Sequence, residues 1–215
     1  MHTIETTVPR TKSYWRARLG RYLGLAELLN LIPDNEPLKQ LLKDNWKRML
    51  QAPGSTHNHQ AWSGGYLDHV VETMNIACRL WRAFFHTGTR LKKPFVLADA
   101  LVVMFLHDLE KPFKDKPNKK TKVGSYDAFA AQLVIEEGAG YLTPKIVRRR
   151  FRDSLAAAYG VVLTAEQKNA LQYVEGEYED YTSKERKMGE LAAFCHCCDI
   201  LSARLWHDRG KEQKW

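Results

Sequence analysis

"FVLADALVVMFLHDLEKP", residues 95–112, shows one helix and the way it ends. From Phe95 to Leu106 the stretch is apolar almost all round, the pattern of a helix buried on every side. Pro94 suits the first position of a helix, and Pro112 cannot continue one. The spacing predicts a helix over 95–109, stopped by about Lys111. His107 and Asp108 sit at its end, at the edge of the core, where an unpartnered polar side chain is costly.

Outward from this stretch the helical period dominates. "SYWRARLGRYLGLAELLNLI" and "NEPLKQLLKDNWKRMLQ" place apolar residues three and four apart. Residues 52–65 are rich in Gly, Ser and Pro and read as a loop. A helix follows from Tyr66 to about Phe85, with Val70, Thr73, Ala77, Leu80 and Phe84 on one face and His69 at that face's edge. Residues 111–125 form a basic loop broken by Pro and Gly. Further helices are expected from Tyr126, at about 144–159, at 165–175 and at roughly 186–206. No alternating strand pattern competes, so the fold class is all-α. The segments divide into an N-terminal helical extension (1–35), a main domain (36–206) and a polar tail (207–215).

Hydrophobic residues make up 44% of the 215, enough for a real core. Lys and Arg number 33 against 25 Asp and Glu, a net charge of +8 that favours anionic partners such as nucleotides and other phosphates. Three of the four cysteines crowd into 195–198, which excludes a disulfide framework and fits a reducing, cytoplasmic setting. The longest apolar run, 100–106, is far short of a membrane span, and the N-terminus has no apolar signal segment.

Two stretches carry adjacent His and Asp: "FLHDLEK" at 105–111 and "LWHDRGK" at 205–211. A divalent cation needs ligands converging from several elements, and neighbouring helical residues point about 100° apart. One pair therefore supplies two corners of a coordination sphere and needs help from other helices. After Asp208 only "RGKEQKW" remains, without His, Asp or Cys, so His207 and Asp208 read as a polar terminus. The pair at 107–108 has candidate company. His69 lies upstream near the start of a helix. Asp199 lies downstream on a small, apolar face with Ala192, Cys195 and Ser202. An acid on such a face serves either as a ligand or in a buried salt bridge, for instance with Arg204.

The order His69, His107-Asp108, Asp199 resembles the HD superfamily of metal-dependent phosphohydrolases, with its H…HD…D ligand order. "HQAWSGGYLDHV" at 59–70 is similar to the family segment H-H-x-Y-P-G-G-L-L-E-H-T, with His59 at the leading His and His69 at the ligand. "FLHDLEK" is similar to L-L-H-D-I-G-K. "CHCCDILSA" at 195–203 resembles the closing helix H-x-x-D-x-x-D/S-A, with His196 and Asp199 in register. The resemblance covers 59–203 and implies an HD-domain-like helical bundle. Glu110 stands where the family has Gly. No His lies between 108 and 195, where bimetallic branches carry more, so one metal is expected. Glu175 and Glu177 are the nearest substitutes for a second ion.

The resemblance implies His69, His107, Asp108 and Asp199 as ligands of one divalent ion. Mn²⁺, Fe²⁺, Mg²⁺, Ni²⁺, Co²⁺ and Zn²⁺ all suit the donor set. It implies hydrolysis of a phosphate ester or anhydride in a nucleotide, cyclic nucleotide or short oligonucleotide, as a phosphodiesterase or a nucleotidase. Lys111 would stabilise phosphate charge, His59 would contact the substrate, and Asp108 or Glu110 would act as base. The expected partner is a phosphorylated small molecule or oligonucleotide, without a membrane, and self-association stays open. The alternative is an HD module that binds nucleotide or nucleic acid without turning it over. The basic run "KIVRRRFR" at 145–152 reads as a solvated helix surface. Cys195 and Cys198, one turn apart, lack the second cysteine pair that a tetrahedral zinc site needs.

Overall fold

The computed structural model describes residues 22–55, 59–85, 93–114, 126–136 and 143–205. His207, Asp208, residues 13–21 of the expected helix at 13–32 and the basic loop beyond Lys114 lie outside them. Every regular element among the described residues is helical, so the all-α expectation holds. None of these helices is long and apolar enough to cross a membrane.

Helix α1 spans Leu25–Leu29, and α2 spans Glu36–Gln51. Asn35 joins them: its amide donates to the carbonyls of Leu29 and Ile32, both at 2.9 Å, and so satisfies acceptors that the end of α1 leaves free. Leu28 and Leu29 are buried in the same core as the later helices. Helix α3 spans Gly65–Phe85. Its apolar stripe differs from the expected one at both margins. His69 is fully buried rather than at the edge, and Phe84 is exposed. The stripe is rotated toward His69, Met74 and Trp81, and α3 packs against α1 and α2 as well as against two later helices.

Helix α4 spans Leu97–Leu106, and every residue from Ala100 to Leu106 is buried. It starts two residues later than expected. Val96 rather than Pro94 precedes its first turn, and the Val96 N–H donates to the Asp99 carboxylate. It also ends earlier. From His107 onward bonds to the third residue back replace the helical pattern: Leu109 to Leu106, Lys111 to Asp108, Phe113 to Glu110. The chain tightens into turns and a short 3₁₀ segment, Lys111–Phe113, before Pro112 can act as a stop.

Helices α5 (Tyr126–Glu136), α6 (Pro144–Ala158) and α7 (Ala165–Tyr173) follow. Thr164 and Gln167 cap α7 reciprocally, at 3.1 and 3.0 Å. The Gln167 amide also reaches Asp99 in the first turn of α4. Helix α8 spans Glu190–Leu205 rather than 186–206. The backbone before it is engaged elsewhere: Met188 N–H donates to Glu177, Gly189 N–H donates to Asn169, and Lys187 C=O accepts from Asn169. Helix α4 is the hub, packed against α3, α7 and α8, while α3 and α7 also pack on α8. This arrangement brings the end of α4, the start of α3 and the middle of α8 to one place.

Candidate metal centre

The loop before α3 sets the first wall. A Cβ at Gly65 would lie 1.9 Å from the Gln60 carbonyl oxygen, so only glycine lets the loop fold this closely onto the helix start. Gly54 N–H donates to that same carbonyl at 2.9 Å. Gln60 is held in the left-handed region, at φ 49°, and is fully buried. The strained turn presents His59 over His69, with ring centroids 5.1 Å apart.

His69 on α3, His107 and Asp108 after α4, and Asp199 on α8 converge. His69 Nε2 lies 3.1 Å from His107 Nε2, 3.1 Å from Asp199 Oδ1 and 3.4 Å from Asp108 Oδ2. His107 Nε2 lies 3.4 Å from Asp108 Oδ2 and 3.5 Å from Asp199 Oδ1. Ligands about 2.1 Å from one ion stand roughly 3.0 Å apart at adjacent octahedral corners and roughly 3.4 Å apart at tetrahedral ones. The observed spacings, from 3.1 to 3.5 Å, lie within about 0.1 Å of that range.

Both rings turn the same nitrogen inward. His107 Nδ1 donates to the Met104 carbonyl at 2.8 Å. His69 Nδ1 meets Ser202 Oγ at 3.0 Å, and that hydroxyl donates to Glu72 at 2.8 Å. A carbonyl only accepts, and the serine proton is already committed, so each Nδ1 bears a proton. Each Nε2 faces the carboxylates, to which it donates while it carries a proton and beside which it would offer a metal its lone pair once that proton is lost. This is how histidine is oriented toward a metal, with an outer partner fixing the tautomer. The donor set therefore fits a divalent cation.

The electrostatics call for positive charge here. Burial works against charging His107, but Asp108 and Asp199 outweigh it and hold its pKa up at about 9. At fully buried His69, burial wins over Asp199 and lowers the pKa. Burial opposes charge on Asp108 too, yet Lys111, His107 and His69 pull it well below the usual carboxylate range. Asp199 is lowered likewise against burial, by hydrogen bonds from His107 and His69. Lys111 forms an ion pair with Asp108, and that partner raises the lysine pKa despite burial. Burial first, and then His69 and Lys111, bring His59 down to about 4, so it stands neutral over the cluster.

The remaining expectations sort as follows. Among the described residues one group of His, Cys, Asp and Glu is close enough to hold a metal ion, namely His69, His107 and Asp108, and Asp199 joins it through both imidazoles. The ion pairs of Asp199 run to the two histidines rather than to Arg204. His196 donates to the Val174 carbonyl at 2.6 Å and stands on the wall of the open groove that His59 and Asp199 share. Glu175 pairs with Arg148, and Glu177 accepts from Met188, so neither is free for a second ion. Cys195 and Cys198 are buried in the core. Glu110 does not pair with Lys111. Its Oε1 accepts from Lys114 at 3.3 Å, and its buried Oε2 has no hydrogen-bond partner.

Sequence reasoning missed Glu72, Gln60 and Arg152. Glu72 anchors the Ser202–His69 chain and accepts from Gln60 at 2.6 Å. Its signal was available, an acid three residues after His69 on the same buried helix face. Arg152 donates to the carbonyls of His107 and Leu171, both at 3.0 Å, and so fixes the turn that carries the His-Asp pair. No signal marked it within a run of arginines.

Comparison of the chain with protein-family models, curated proteins and solved structures finds no match. The class that fold and site define is an all-helical protein whose His-His-Asp cluster is compatible with an HD-type metal site.

Proposed function

We propose that the chain is a metal-dependent phosphohydrolase of the HD type, acting on a phosphate ester or anhydride of a nucleotide, cyclic nucleotide or short oligonucleotide. The observation that carries this reading is the pair of inward Nε2 atoms, 3.1 Å apart, flanked by two carboxylates of lowered pKa. His69, His107, Asp108 and Asp199 would hold one divalent ion. That ion would supply Lewis-acid polarisation of a phosphoryl oxygen and acidify a nearby water.

The chain's own residues do the rest. Lys111, tethered to Asp108, places an ammonium where phosphate charge develops. Neutral His59 offers a hydrogen-bonding ring at the mouth of the cluster. Asp108 is a poor base, because Lys111 and both histidines stabilise its charge. Glu110 is the better acceptor of a proton from water, since its Oε2 is uncommitted. The ordered shell of Glu72, Ser202 and Met104 keeps both imidazoles aimed without rearrangement.

The test is metal content beside hydrolysis of nucleoside mono- and triphosphates, cyclic nucleotides, short oligonucleotides and bis-(p-nitrophenyl) phosphate. Asp108→Ala should lose both metal and turnover. Glu110→Gln should keep the metal and lose on the order of 10²- to 10⁴-fold in kcat, the usual worth of a general base. Turnover undiminished in Asp108→Ala sinks the reading. A protein that binds nucleotide yet hydrolyses nothing with Mn²⁺, Mg²⁺, Ni²⁺ or Co²⁺ supplied is a binding module instead.

A further inference from the structure

Helix α6 carries Lys145, Arg148, Arg149 and Arg152, spaced so that all four share one helical face. A basic run of this kind ordinarily spreads into water. Here the four line a single cleft of about 280 Å³, which the buried residues His107 and Glu110 also line. The cleft thus opens directly beside the candidate metal centre.

The charges in this cleft are unequally compensated. Arg148 is held by Glu175 through two hydrogen bonds, at 3.4 and 3.2 Å. Lys145 reaches Asp180 only at 4.0 Å. Arg152 is buried, yet its hydrogen bonds go to two neutral carbonyls, and its Nε has none. That Nε stands 3.8 Å from Asp153 Oδ1, too long for a hydrogen bond. Arg149 has no ion pair or hydrogen bond among the described residues. Three carboxylates line the cleft: Glu175 is engaged by Arg148, Asp180 stands 4.0 Å from Lys145, and one oxygen of Glu110 is engaged by Lys114. Positive charge concentrated in a concave, partly desolvated wall is an anion trap rather than a solvated surface. Arg148 and Glu175 also line the open groove that runs past Asp199 and His59, so cleft and groove share a wall.

We propose that this cleft is a second anion subsite, which takes a further phosphate group of the substrate while the scissile one lies at the His69, His107, Asp108 and Asp199 cluster. Arg149 makes the main contact, and the Arg148–Glu175 pair forms the wall between the two subsites. The proposal rests on the hydrolase reading and narrows it to substrates that carry at least two phosphates, such as nucleoside triphosphates or 5′-phosphorylated oligonucleotides.

The test has an arm that needs no turnover. Inorganic tripolyphosphate is titrated into the full chain stripped of metal. Arg149→Ala should weaken binding by about tenfold or more, and Arg149→Lys should recover part of it. Lys39→Ala removes one charge on exposed α2 and controls for net charge alone. In the second arm, with divalent metal, the KM of a nucleoside monophosphate is divided by that of its triphosphate. The same ratio is taken for a dinucleotide without and with a 5′-phosphate. Each ratio should fall about tenfold in Arg149→Ala. Equal tripolyphosphate binding by wild type and Arg149→Ala, or unchanged ratios, overturns the proposal. So does tripolyphosphate that alters kcat without competing with substrate, because the cleft would then serve a separate effector. Arg149-dependent binding with no hydrolysis of any compound supports the anion cleft and defeats the hydrolase reading alone.

Discussion

Lys111 and Ser202 act on the same cluster from opposite sides, and their removal should be distinguishable. Lys111 touches Asp108 but is no ligand candidate, since an ammonium has no lone pair to give. Lys111→Ala should keep the metal and slow turnover on the order of 10²-fold, the cost of losing one preorganised donor to developing charge. Metal analysis beside kcat decides it, and loss of metal would show that Lys111 serves the ligand geometry instead. Ser202 never faces the cluster. It fixes the His69 tautomer by accepting from Nδ1 and donating to Glu72. Ser202→Ala should lower metal affinity by about 10- to 100-fold, the usual penalty for losing an outer partner. A competition titration with a metallochromic chelator reads this directly. Unchanged affinity would mean that packing alone holds the ring.

At the scale of elements, the end of α4 is the critical joint. A helix this apolar is buried on all sides, and its last carbonyls must find donors in the protein. Arg152 of α6 supplies one to His107, and its second donor goes to Leu171 on α7. One guanidinium thereby ties three elements around the site. Arg152→Leu keeps some of the packing and removes both donors. It should destabilise the fold on the order of 3 kcal/mol, from buried carbonyls left unsatisfied, as measured by urea unfolding. A change under about 0.5 kcal/mol, the range of ordinary surface substitutions, would show that these bonds contribute little. The period of α4 made its existence plain from sequence, while its ends did not follow from Pro94 and Pro112. The caps that set them, Asp99 at one end and the turns from His107 at the other, depend on Gln167 and Arg152 far along the chain.

Across the whole molecule, the cluster concentrates two carboxylates in the core, where buried charge is costly unless it is paired. His107 partly offsets them when protonated, its pKa being held near 9 by Asp108 and Asp199. A divalent ion would offset them better, and because its candidate ligands come from three helical segments it would favour the folded state. At a free concentration 100 times Kd, metal should add about 2.7 kcal/mol of stability and raise Tm, with reversal by a chelator. Differential scanning fluorimetry with Mn²⁺ before and after EDTA checks this. The shift should vanish in Asp199→Ala, and a shift that persists there would place the ion elsewhere.

Hydrophobic period and composition, properties of the local sequence, determined that this chain is helical and that its most apolar helix ends in His107 and Asp108. The same reading singled out Asp199, an acid on an apolar face that must have a partner, while His69 was added by the motif order that resembles the HD superfamily. Only the tertiary structure decided that these four converge on one point. Convergence depends on how α3, α4 and α8 cross, and crossing is set by side-chain packing among residues distant in sequence. Burial of Glu72 behind His69 and the inward turn of the α6 arginines were decided the same way. A charged side chain on a helix looks solvated until a second element covers its face, and no local pattern says which face will be covered.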